Sequence, residues 1–141
     1  SCGRYEVSED IKALIAENFV GYCADEDETA NTMNNFYNNK NYLSDPHTAV
    51  AFACAEKYMK DLEDNKKMIV ASTASAYKFA ADVYKSISGK DAAEDTKALD
   101  QLSELTNTEI VYPLRALAER KINFDKVIES GDMLDEVYKF M

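Results

Sequence analysis

The sequence predicts an α/β fold: a mostly helical fragment with two short parallel strands in the order β-α-α-β-α, followed by a helical C-terminal segment. Three observations lead to this expectation. Residues 68–71, Met-Ile-Val-Ala, form the continuous apolar run expected of a strand covered on both faces. Residues 19–24 are short, aromatic and rich in β-forming types, although Gly21 weakens that strand. Elsewhere apolar residues recur at helical spacing, and only 4 Gly and 2 Pro in 141 residues leave long uninterrupted segments.

Taken in order, Ser8 precedes Glu9 and Asp10, and then Ile11, Leu14 and Ile15. A capping hydroxyl, early acids and an i, i+3, i+4 stripe predict a helix over Glu9–Asn18. After the first strand, the acidic run at 25–28 invites a metal reading. Asp25 followed three residues later by Glu28 is better explained as a capping box, with acids favoured at a helix N-terminus. Met33, Phe36 and Tyr37 give that helix its apolar face, and the asparagines around Lys40 end it. Asp45 then caps a third helix with Pro46 in its first position. Ala51, Cys54, Ala55, Tyr58 and Leu62 share one face of it, and Asp64 with Asn65 breaks it before the second strand. Ser72–Ser75 follow that strand as a small hydroxyl turn, and Tyr77, Ala80, Val83, Tyr84 and Ile87 mark the next helix.

Two strands joined by helices are expected to be parallel neighbours. Two strands alone make a poor sheet, which suggests that the chain is part of something larger. An unpaired sheet edge would also invite homodimerisation. Beyond Gly89 the pattern is helical packing. Asp91 with Glu94 predicts another capped helix carrying Leu99, Leu102 and Leu105. Pro113 starts a short helix with Leu114, Leu117 and Ala118. Phe124, Val127 and Ile128 begin another, and Leu134, Val137, Tyr138 and Met141 close the chain.

Composition narrows the function. Net charge is −10 with no basic cluster, which argues against nucleic acid and against an anionic membrane surface. No apolar run approaches the ~20 residues that span a bilayer. Cys2, Cys23 and Cys54 are widely spaced and include no CxxC pair, and a lone histidine cannot complete a His-rich metal site. Reduced thiols in a cytoplasmic protein are the plain expectation. There is no start methionine, so a fragment or processed product is expected.

The best-placed candidate site is Ser72–Ser75, because ligands of open α/β sheets gather where a strand ends and a helix begins. Two motifs flank one helix and one strand: DPHTAVAF at residues 45–52 and STASAYKF at residues 72–79. Together they resemble the C-terminal part of threonine synthase, where a (D/E)PH-x-AV helix start precedes a strand ending in a (S/G)TA(S/H)-P-x-KF-like motif. The acidic helix start at residues 25–29 is similar to that family's, and residues 120–124 and 133–140 match it more loosely. Ala76 departs from the pattern, which usually has proline there.

The resemblance implies a pyridoxal-phosphate enzyme of fold type II that converts O-phospho-L-homoserine and water to L-threonine and phosphate, a lyase of threonine biosynthesis. Residues 1–89 would then be the C-terminal part of the cofactor-binding domain, with residues 90–141 packed on it as a helical segment. It also implies that Thr73 lies beside the cofactor's pyridine nitrogen as a cofactor-binding residue. His47, Thr48 and Lys78 are candidates for lining the substrate or its phosphate, since the helix N-terminus at His47 could attract an anion. A proton-transfer role for His47 has no visible partner in the sequence. Lys78 could instead pair with Asp82 at i, i+4, and Ser72 and Ser75 read as turn and cap residues. The family's Schiff-base lysine, in a Phe-Lys-Asp motif, and its glycine-rich phosphate loop do not occur here, so no catalytic residue is assigned and the fragment alone is expected to be inactive. Two rivals remain: a non-enzymatic acidic helical interaction module, and another fold type II enzyme such as a dehydratase.

Overall fold

The computed structural model describes residues 3–63, 66–94, 96–121, 123 and 126–139. Its helices are α1 (Glu9–Asn18), α2 (Glu26–Lys40), α3 (Pro46–Asp61), α4 (Ala80–Ser88), α5 (Lys97–Thr106), α6 (Tyr112–Arg115) and α7 (Met133–Lys139). Short 3-10 turns span Ala76–Phe79, Ala116–Glu119 and Ser130–Asp132.

The helix starts are written in local chemistry. Ser8 caps α1 by accepting from the Ile11 N–H. Asp25 and Glu28 form the expected capping box on α2, which ends at Asn41 in the left-handed region (φ 52°). Asp45 caps α3, with Pro46 in its first turn.

The α/β class is not what the chain forms. Among the described residues there is no strand, and the fold is helical throughout. Residues 19–24 and 66–71 form neither helix nor strand. Phe19 and Ile69 are 73% and 99% exposed. Residues of both segments line one groove of about 720 Å³ with Ala51, Cys54, Ala55 and Tyr58 of α3. The physical reason is that β-propensity describes a fit to a pleated, half-buried surface, whereas a strand exists only when a neighbour takes up its backbone groups. The expected parallel pair and its sheet edge are therefore absent among the described residues, and dimerisation through such an edge has no edge there to use.

Packing places the core between α2, α3, α4 and α5. Met33, Ala49, Tyr77, Val83 and Leu102 are buried together, with Ile110 closing the cluster from the loop after α5. Ala49 and Ala53 are the α3 alanines that turn inward, which leaves Ala51 and Ala55 to the groove. Phe36 stacks on Phe52 at 4.1 Å between ring centroids, joining α2 to α3. The core draws on both sides of Gly89, because α4 packs on α5 and the buried Tyr77 hydroxyl donates to the Thr108 carbonyl at 2.8 Å.

Two tail expectations need correction. Asp91 and Glu94 do not cap a helix. Asp91 pairs with Lys85 at 2.7 Å, and α5 starts later, after Thr96. Val127 and Ile128 are not helical, and the tail's last helix is α7, with no buried residue. Expectations resting on Cys2, Asp64, Asn65, Phe124, Met141 and the Ala118 side chain lie outside the described residues.

Candidate functional site

The two motifs meet in space. Asp45, the α3 cap, has a side chain with 0% exposure. Its Oδ1 accepts from the His47 N–H at 3.0 Å and the Thr48 N–H at 3.3 Å. The His47 Nδ1 lies 3.3 Å from the same oxygen, and the Thr48 hydroxyl donates to Oδ2. Thr48 in turn contacts the Ser72 hydroxyl at 3.1 Å. A second bridge lies beside this one, where the His47 ring packs against Phe79 at 4.9 Å between centroids.

The electrostatics follow from that geometry. Burial pushes the Asp45 carboxyl up, but hydrogen bonds from the Thr48 hydroxyl, the Thr48 and His47 amides and the His47 ring outweigh it and hold the group below its ordinary value. Asp45 is thus an ionised, fully enclosed hub. The helix N–H groups that could have met an outside anion are already engaged by it.

Each expected site residue has a definite place. His47 is exposed, Thr48 is buried behind it, and Thr73 and Lys78 are exposed. The Lys78 Nζ stands 5.9 Å from the Phe79 ring centroid, and among the described residues it forms no ion pair with Asp82. The hydroxyls of the 72–75 turn differ in their engagement. Ser72 bonds to Thr48, and Ser75 accepts from the Tyr77 N–H at 3.3 Å. Thr73 makes no hydrogen bond among the described residues. Asp45 and Ser72 are the participants that sequence reasoning read only as cap and turn. The signal was available: a carboxylate two residues before a histidine at a helix start can reach both its amide and its ring. Among the described residues no group of His, Cys, Asp and Glu could hold a metal ion, and no helix is long and apolar enough to cross a membrane.

The contacts between the 45–52 and 72–79 motifs thus run from Thr48 to Ser72 and from His47 to Phe79. The family model described as "Threonine synthase, C-terminal" matches residues 48–130. Threonine synthase of Saccharomyces cerevisiae is 33% identical over 92 residues, covering 62% of this chain and 18% of its own length. Threonine synthase-like 1 of Homo sapiens is 28% identical over 124 residues, covering 87% of this chain and 16% of its own length. The chain belongs to the threonine synthase family and corresponds to the C-terminal part of such a protein. It spans less than a fifth of the length of these relatives.

Proposed function

We propose that this chain supplies one wall of the pyridoxal-phosphate site of an enzyme that converts O-phospho-L-homoserine and water to L-threonine and phosphate. The observation that carries the reading is the turn at 72–75, where Thr73 keeps a hydroxyl without a partner among the described residues while Ser72 and Ser75 are engaged. This fits a ring nitrogen that needs one hydrogen-bond donor. When bound, the cofactor supplies the electron sink for the reaction. In this reading the Thr73 hydroxyl would hold the cofactor at its pyridine nitrogen, which would leave that nitrogen unprotonated and moderate the sink. Lys78 offers a positive charge to the substrate phosphate, and His47 forms the adjoining surface with Thr48 buried behind it. The sequence lacks the family's lysine motif and glycine-rich loop, so the chain by itself is inactive in this reading and acts in the cytoplasm as part of a longer enzyme. Residues 1–89 then belong to the cofactor-binding domain, with residues 90–141 packed on it.

The rival reading as a non-enzymatic interaction module expects the 72–75 turn to lie beneath the helical tail. Ser72 and Thr73 are instead exposed, which favours the enzyme. The test uses the full-length protein. Release of threonine and phosphate from O-phospho-L-homoserine is expected, and its absence would reject the assignment. Thr73→Ala is expected to shift the cofactor's absorption and lower turnover, whereas unchanged spectra and kinetics would remove Thr73 from the site.

A further inference from the structure

We infer that Asp45 is a positioning residue that sets the protons of His47 and Ser72, so that both present hydrogen-bond acceptors on the exposed side of the two helix starts. The argument is one of counting hydrogens. An ionised carboxylate only accepts. The His47 Nδ1, 3.3 Å from Asp45 Oδ1, therefore carries the ring hydrogen in the neutral imidazole, and Nε2 keeps its lone pair. The Thr48 hydroxyl has a single hydrogen, and it goes to Asp45 Oδ2. In the 3.1 Å contact between Thr48 and Ser72 the donor must then be Ser72. Its hydrogen is used inward, and only lone pairs remain for a ligand.

Two consequences follow. Ser72 has no hydrogen left for a ring nitrogen, so that task falls to Thr73, one residue on. A fully ionised phosphate offers only acceptors, so it does not match Ser72 or a bare Nε2 lone pair. The chemical class that does match the pair is a hydrogen-bond donor, namely water or a substrate hydroxyl. The inference rests on the function proposed above for the identity of that donor, since the reaction consumes water, but the proton placement rests only on the contacts of Asp45 and on its carboxylate being ionised.

The test is a long-range proton–nitrogen NMR spectrum of the full-length protein at alkaline pH, where imidazole is neutral, with His47 assigned by its loss in His47→Gln. The expected result is the Nδ1–H tautomer. Asp45→Ser keeps a capping oxygen for α3 but cannot reach the ring, and it is expected to lose that tautomer. A wild-type Nε2–H tautomer, or an Asp45→Ser spectrum with Nδ1–H retained, overturns the inference. Should the variant fail to fold, the wild-type spectrum still decides. An Nδ1–H tautomer in a protein that releases no threonine would reject the proposed function and uphold the proton placement. Threonine release with an Nε2–H tautomer would do the reverse.

Discussion

Asp45 gathers four donors on one side chain: two backbone amides, a ring nitrogen and a hydroxyl. Its carboxyl is held below the ordinary value despite burial. A depressed folded value means that its stabilisation is fully present above the unfolded carboxylate range, about 3.9, and is lost as pH falls through the lower folded value. Denaturant unfolding at near-neutral pH and at about pH 3 should therefore show a smaller acid loss for Asp45→Asn than for the wild type. An equal loss in both proteins would mean that other carboxylates dominate. The neighbouring Ser44 presents the opposite case. Its hydroxyl is buried with no hydrogen-bond partner among the described residues, and such a group costs about 1–3 kcal/mol in desolvation. Ser44→Ala should raise the thermal midpoint, and a lowered midpoint would show that the hydroxyl is satisfied in solution.

The elements divide into those with caps and partners and those with caps alone. The start of α2 has its capping box and an ion pair from Lys57 of α3 to Glu28 at 2.6 Å. That hydrogen-bonded lysine, together with the Asp25 amide, keeps the Glu28 carboxyl below its ordinary value. Asp25→Ala should destabilise the protein by about 1 kcal/mol, the usual loss for an N-cap, measurable as a shift in urea midpoint with unchanged slope. By contrast, α1 is capped and amphipathic yet buries none of its residues. Ile11, Leu14 and Ile15 stay 47%, 61% and 49% exposed. A cap and an apolar stripe are enough to recognise a helix, but the stripe does not state what it packs against.

At the scale of the molecule, stability concentrates where α2, α3, α4 and α5 meet. Leu102 and Val83 are fully buried there, and Leu102→Ala should cost about 2–5 kcal/mol, the range for truncating a core leucine. Amide hydrogen exchange should give slow protection in α2 to α5 and fast exchange in α1, which buries none of its residues, and in residues 66–71, which form neither helix nor strand. Uniform protection along the chain would contradict this division. The two site motifs sit on the well-packed part, with α3 anchored by Ala49 and Ala53 and the 72–75 turn anchored through Tyr77. That placement gives Thr73 a firm base while leaving it exposed.

Most helices, their caps and the likeness to one family were legible in the residues, because each depends on neighbours a few positions away. Ser8, the Asp25–Glu28 pair and the Asp45–Pro46 start all act within one helical turn, so spacing alone reveals them. The same holds for the motifs at 45–52 and 72–79, whose residue types carry the resemblance without any knowledge of contacts. What only the tertiary structure decided depends on distant partners. Residues 19–24 and 66–71 have strand-forming composition, but among the described residues no sheet forms, because a strand needs a distant segment to take up its backbone groups. Asp91 had the spacing of a cap and took Lys85 instead. The contact from Asp45 through Thr48 to Ser72 crosses 24 positions between its last two residues, and no local pattern encodes which of two hydroxyls will surrender its hydrogen to the other. Sequence determines what each segment can do by itself, while packing determines which donor finds which acceptor, because that choice is made between groups far apart in the chain.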